Sequence, residues 1–273
     1  MKILLLPFIF FFSLLPMANA DNFFSQKKGV LKNTKYHDID WSHSLYSNNG
    51  FPSNSEEKWN VRWFEQENMK FLRFRLFNGQ VGTALKDNKP YYDNKKRYVG
   101  PYWERAEIRT SKTIIKNRSK SYDINLRLRF ISGFTNYRET FFMIGNDTKH
   151  CSTFNKPSVM LTFQDSVLYM FYALNNRDSN HLTFYPEINV TNIYNKWVNF
   201  KLEISPTKFQ EIHEGGLDLT LSFEGEKIWS QPMIWASKCG NAFVKVGIAR
   251  PGSKQVLEKS IFDIDYLKIK EKN

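Results

Sequence analysis

The sequence predicts an all-β domain, a sandwich or barrel of short strands. Three observations predict it. A dozen or so segments alternate apolar and polar residues with period two. Polar turn residues separate them at short spacing. Helical periodicity is almost absent, and a short helix fits only at 206–213. An aromatic content of 16% suits a core between sheets and a sugar-binding cleft alike.

The first twenty residues are expected to be a secretory leader. Lys2 supplies the positive start, 3–15 is a nearly unbroken apolar run, and Ala18-Asn19-Ala20 is a small-x-small cleavage site. The run is too short to span a bilayer comfortably, and no later segment is long and apolar enough. The protein is therefore expected outside the cell or in the periplasm, cut near Ala20. Residues 21–58 are rich in Asn and Ser with scattered aromatics. They are expected to form an N-terminal extension packing on the domain that fills 59–273.

From Trp59 onward the strands follow in order. Val61 and Trp63 begin one. In 70–77, Leu72, Phe74 and Leu76 share one face and Arg73 and Arg75 the other, and Asn78-Gly79 ends the run as a turn. Residues 79–101 carry Gly79, Gly82, Pro90, Gly100 and Pro101 and read as one long loop, with Tyr91, Tyr92, Tyr98 and Tyr102 as sugar-stacking or loop-pinning rings. In 104–110, Ala106 and Ile108 face one way and Arg105, Glu107 and Arg109 the other. Residues 122–131 alternate cleanly, whereas 139–144 are nearly all apolar and hence central. A hairpin joins 158–164 to 167–172 through Asp165-Ser166, and 197–204 alternates again. A second hairpin joins 217–223 to 227–229 through Glu224-Gly225. Strands at 242–248 and 261–270 close the chain, with Asp263 and Asp265 read as solvated.

The formal charge is +12, and loss of Lys2 with the leader lowers it by one. A basic exported protein points to an acidic polysaccharide as partner rather than nucleic acid. No stable membrane insertion is expected, and the chain is expected to be a monomer. Cys151 and Cys239, the two cysteines, form one disulfide or stay two buried thiols. Asn117, Asn146 and Asn189 open Asn-x-Ser/Thr sequons.

Familiar chemical signatures are missing. There is no Gly-rich phosphate loop, His-Glu-x-x-His, Cys-x-x-Cys or Gly-x-Ser-x-Gly. No cofactor or metal is implied. What stands out is the row Arg105, Glu107, Arg109, because guanidiniums offer planar donor forks that fit carboxylate or sulfate. The same spacing also describes a solvated face crossed by an ion pair.

The order of elements around that row resembles a known group. An alternating strand at 71–77 precedes a long loop and then Arg105-Ala106-Glu107-Ile108-Arg109. An apolar strand ending in Gly145-Asn146 follows, then Lys196-Trp197 and Lys245-Val246-Gly247-Ile248. Over 59–270 this resembles the polysaccharide lyases of β-jelly-roll fold, the heparin lyase I-like and glucuronan lyase group and, more distantly, alginate lyases. The resemblance implies a concanavalin A-like β-jelly roll of two antiparallel sheets, whose concave sheet binds an acidic, uronate-containing chain. It implies cleavage by β-elimination: the carboxylate is neutralised, a proton leaves the adjacent carbon, and an acid protonates the departing oxygen. By that resemblance Arg105 and Arg109 bind the polymer, Glu107 orients them and Lys245 contributes. Two departures stand beside it. Met143 and Gly145 occupy the place of the group's Gln-x-His, and Phe243 and Ala249 occupy that of its two C-terminal tyrosines. The substitutes this sequence offers are Asn146 as a carboxylate neutraliser and His150, Tyr169 and Tyr172 as acid or base. Two other readings are a lectin-like relative that binds without cleaving, and an adhesive protein using its charge for surface binding.

Overall fold

The structure, a computed structural model, describes residues 41–43, 59–82, 85–92, 95–110, 120–146, 157–173, 181–206, 217–233, 242–252 and 259–272. The expected leader, most of the extension, His150, Cys151 and Cys239 lie outside the described residues.

The described residues form two stacked antiparallel sheets, as the alternating pattern requires. The strands of the first sheet are β1 (Trp41–His43), β6 (Trp103–Thr110), β8 (Glu139–Asn146), β9 (Val159–Gln164), β10 (Val167–Ala173), β11 (His181–Phe184) and β15 (Ala242–Pro251). Their order across the sheet is β1-β6-β15-β8-β9-β10-β11. The second sheet contains β2 (Val61–Gln66), β3 (Met69–Leu76), β7 (Ser121–Ser132), β12 (Trp197–Pro206), β13 (Leu217–Phe223), β14 (Glu226–Met233) and β16 (Ser260–Lys272). Its order is β14-β13-β12-β7-β16-β3-β2. The last strand therefore pairs with an early one, β16 with β3.

Alternation decides what enters the core. On β7, Tyr122, Ile124, Leu126, Leu128 and Phe130 are buried, while Asp123, Asn125, Arg127 and Arg129 face outward. Phe130 is the hub of an aromatic cluster, with the rings of Phe134, Phe141 and Phe163 edge-on at 4.9, 5.2 and 5.1 Å. Such edge-to-face contacts stabilise beyond area burial, by about 0.5–1.5 kcal/mol each. The tight hairpins turn where both central residues take positive φ: Glu67-Asn68, Asp165-Ser166 and Glu224-Gly225. That geometry matches the twist of the flanking strands.

Three expectations need correction. The stretch 79–101 is not a plain loop: a 3-10 turn at Leu85–Asn88 precedes a small ribbon of β4 (Tyr91–Tyr92) and β5 (Tyr98–Gly100). Pro206, the first residue of the expected short helix, ends strand β12, and 207–216 lie outside the described residues. Asp263 and Asp265 are buried rather than solvated. Asp263 lies between Arg73 (2.6 Å) and Arg129 (2.7 Å), and Asp265 pairs with Arg127 at 3.0 Å. The arginines on β3 and β7 close over the carboxylates of the strand between them.

β15 crosses the middle of the first sheet and bulges between Val246 and Ala249 on its β8 side. Gly247 in the bulge has φ +146 and sits opposite Glu107. A Cβ there would lie 2.3 Å from the Ala106 carbonyl oxygen and 2.5 Å from the Glu107 Cα. Both obstacles are backbone, so neither can swing aside. Gly247→Ala should lower stability by about 2 kcal/mol or more, read as a drop in the urea midpoint at unchanged slope. An unshifted midpoint would show that the bulge tolerates a side chain.

Candidate functional site

Strand β6 sets one edge of the site. Ala106 and Ile108 point into the core, and the residues between them go to the outer face of the first sheet. Register then fixes which side chains share a row. One row runs Arg105, Ala249, Thr140, Thr162, Tyr169 across β6, β15, β8, β9 and β10. A second runs Arg109, Lys245, Met143, Met160, Phe171. The middle of the face is thus neutral. Met143, Gly145 and Ala249 hold the positions where the resemblance would place Gln, His and Tyr. Thr140 and Thr162 hydrogen-bond each other at 2.9 Å, either hydroxyl being able to donate.

The charged residues gather toward β6. Arg105 is buried; its Nε donates to Asp87 at 3.0 Å and its Nη1 to Glu107 at 2.9 Å. Asp87 comes from the 3-10 turn and reaches Arg105 because residue 82 is glycine: a Cβ at Gly82 would lie 2.2 Å from the Asp87 carboxylate. Lys245 approaches Glu107 at 3.6 Å from the neighbouring strand. Burial alone would lower the Arg105 pKa, but Glu107 and then Asp87 outweigh it and raise it. Burial alone would raise Glu107, but Lys245 and then Arg105 hold it below the usual carboxylate range. Arg109 is exposed, over the Phe243 ring at 5.6 Å, and pairs with no carboxylate among the described residues.

A second group lies across the face. Arg138, just before β8, donates from Nη1 to the Tyr91 hydroxyl at 2.6 Å and from Nη2 to the Met160 sulfur at 3.5 Å. Its guanidinium carbon is 5.9 Å from the Trp103 ring centre and 5.0 Å from that of Phe171. Those two rings belong to strands four intervals apart, about 19 Å in a flat sheet. One guanidinium reaches both, so the side chains of the two flanks converge over this face. Tyr91 packs edge-on against Trp103 at 4.4 Å, which pins the loop ribbon to β6.

The other expected site residues are placed as follows. Tyr169 shares the outer face, four strands from Arg105, with its ring edge-on to Tyr185 at 4.4 Å. Burial, then Tyr185 and Asp165, raise its pKa, which keeps the phenol protonated and a poor base at neutral pH. Tyr172 pairs by backbone with Val159, and Asn146 with Ala242; their side chains lie outside the description. Sequence reasoning missed Asp87, Trp103 and Arg138. Asp87 is a lone loop acid, and Arg138 stands one residue before a strand, so neither belongs to a spaced motif. Trp103 did carry a signal, since it extends the alternation of Arg105, Glu107 and Arg109. Among the described residues no three His, Cys, Asp or Glu side chains form a metal cage. No helix there is long and apolar enough to cross a membrane.

No protein-family model matches the sequence, and a comparison with curated proteins found no similar one. Comparison with solved structures is different. The family 7 alginate lyase A1-II′ superposes with a TM-score of 0.56 at 12% identity, covering 85% of this chain and 95% of the lyase. The endo-β-1,4-glucuronan lyase from the fungus Trichoderma reesei gives 0.55 at 13% identity over 83% and 93%. Alginate lyase PA1167 from Pseudomonas aeruginosa gives 0.53 at 12% over 84% and 98%. The chain has the jelly-roll fold of these lyases. The expected two-sheet jelly roll is therefore the fold observed, and at these identities the likeness is one of architecture.

Glu107 supplies a pH test of the cluster. Its folded pKa is depressed, so its contribution is fully present above the unfolded carboxylate value near 4 and is lost as pH falls through the folded value. Glu107→Gln should cost about 3 kcal/mol at pH 7, with the gap to wild type narrowing below about pH 4. Urea unfolding of both proteins across pH 3–7 checks this; a gap independent of pH would remove the carboxylate from the account.

Proposed function

We propose that this protein is a polysaccharide lyase-like protein that binds an acidic, uronate-containing polysaccharide on the outer face of the first sheet and cleaves it by β-elimination. One observation carries the reading. The face just described holds Arg105, Arg109, Arg138 and Lys245 against the carboxylates Asp87 and Glu107, around a neutral centre. A polyanion meets net positive charge there, and the excess favours the carboxylate in its charge-rich transition state. The fold shared with alginate and glucuronan lyases supports the same reading. In this proposal Arg105, Arg109 and Lys245 neutralise substrate charge, Glu107 orients Arg105 and Lys245, and Asn146 assists. Proton transfer falls to His150, Tyr169 or Tyr172. The raised pKa of Tyr169 suits a proton donor to the departing oxygen better than a base. The protein acts after export, as a monomer, with its leader cut near Ala20.

A second reading, binding without cleavage, has its own observation. Met143, Gly145 and Ala249 put no titratable group at the centre of the face. The two readings separate in one assay. Alginate, glucuronan, heparin, heparan sulfate, chondroitin and pectate are offered in turn, and ultraviolet absorbance of the unsaturated uronate product is followed. The lyase reading expects absorbance to rise on one polymer and kcat/KM to fall about tenfold in Arg109→Ala, a loss of about 1.4 kcal/mol. Arg109 is exposed, so that variant should keep its fold. A flat trace with salt-sensitive binding to one polymer selects the second reading.

A further inference from the structure

Arg105 and Arg138 both approach the indole of Trp103, at 5.1 and 5.9 Å from its centre. Their guanidiniums therefore lie no farther apart than those two distances laid end to end. Their electrostatic situations are opposite. Arg105 is shared between two carboxylates, which offset much of its charge. Arg138 pairs with no carboxylate among the described residues. Its partners are neutral: the Tyr91 hydroxyl and the Met160 thioether, the latter a weak acceptor. Its Nε is buried without a partner. The rings of Tyr91, Trp103 and Phe171 stand 6.0, 5.9 and 5.0 Å from the guanidinium carbon.

A half-buried guanidinium has given up part of its water, and neutral acceptors return little of that loss. Rings against its faces stabilise the charge without cancelling it. Each Nη nitrogen retains an N–H beyond the one it donates, and a guanidinium's planar fork of donors fits the two oxygens of a carboxylate. Tyr91 and the weakly held Met160 sulfur fix the orientation of that fork in advance.

We propose that Arg138 is an anion-binding subsite of the outer face, taking a uronate carboxylate of the bound chain within a cage of Tyr91, Trp103 and Phe171. The inference rests on the acidic-polysaccharide reading above. It adds to the exposed Arg109 a second open cation, outside the Arg105-Glu107-Arg109 row. Arg138 adds a charge that no carboxylate of the described residues shares to those of Arg105, Arg109 and Lys245.

Calorimetric titration with mannuronate and glucuronate tetrasaccharides, each also in carboxyl-reduced neutral form, tests it. Wild type should bind an acidic form and ignore its neutral counterpart. Arg138→Gln should weaken that binding about tenfold and flatten its salt dependence. Lys268→Gln, the same charge change at an exposed site on the other sheet, should alter affinity less than about twofold. Arg138→Lys keeps the charge and stem but not the fork, and decides the matter should the glutamine variant melt early: about threefold weaker binding is expected. Wild-type binding with Arg138→Lys undiminished, or with Arg138→Gln no worse than Lys268→Gln, overturns the subsite and leaves the polysaccharide reading standing. A wild type blind to both acidic tetrasaccharides overturns the subsite, and one that also neither cleaves nor binds any of the six polymers overturns the polysaccharide reading with it.

Discussion

Beneath the outer face, wholly inside the protein, Arg250 is held between two carboxylates. Its Nε donates to Glu104 at 2.6 Å, and its Nη1 donates to Glu139 at 3.0 Å and to the Ser260 hydroxyl at 2.8 Å. All four residues are fully buried. They come from β15, β6, β8 and β16, so one guanidinium ties three strands of the first sheet to the second sheet. Burying such charges is costly, and the cost is offset only when every partner is in place. Glu104 also accepts from the Gly79 amide at 2.5 Å, and Glu139 from the Asn136 side chain at 3.1 Å. A slip of one residue on any of these strands would strand a buried ion, so the network selects a single register.

The residue next to each member of the triad faces the other way. Beside Glu104 is Arg105, beside Arg250 is Ala249, and beside Glu139 is Arg138. The ion network inside thereby positions the two guanidiniums that flank Trp103, and the neutral Ala249 on the strand between them. Period-two alternation converts an electrostatic lock in the core into a pattern of charge on the surface. The Gly247 bulge adjusts the same strand, where an ordinary side chain would collide with the backbone of β6.

Charge is partitioned between the two sheets. On the second sheet Arg73, Arg127 and Arg129 face acids of the adjacent strand, as with Asp263 between Arg73 and Arg129, and several arginines cover aromatic rings: Arg129 lies 4.6 Å from the Trp197 ring centre. Charges paired in this way cancel and contribute nothing to the formal net charge of +12. On the first sheet two arginines, one exposed and one half-buried, have no such match among the described residues. A basic composition favours anionic partners in general, and the pairing pattern leaves two unmatched arginines of the described residues on the first sheet.

The sequence by itself determined the strands, their inward faces and the class of fold. Alternation is a local property, and burying one face of each strand leaves few architectures. It also placed Arg105, Glu107 and Arg109 on a common face, and it exposed the substitutions at Met143 and Ala249. It read Asp263 and Asp265 as solvated, because alternation marks a face without saying whether neighbouring strands will cover it. Only the tertiary structure decided that Arg105 is neutralised by Asp87, eighteen residues earlier in the chain, and that Arg138 is left with rings and neutral acceptors. The physical reason is that a charge is open or spent according to what stands within a few ångströms of it. Those neighbours arrive from the 3-10 turn and β4 by loop packing, and from β9 and β10 by sheet pairing, which no local spacing records.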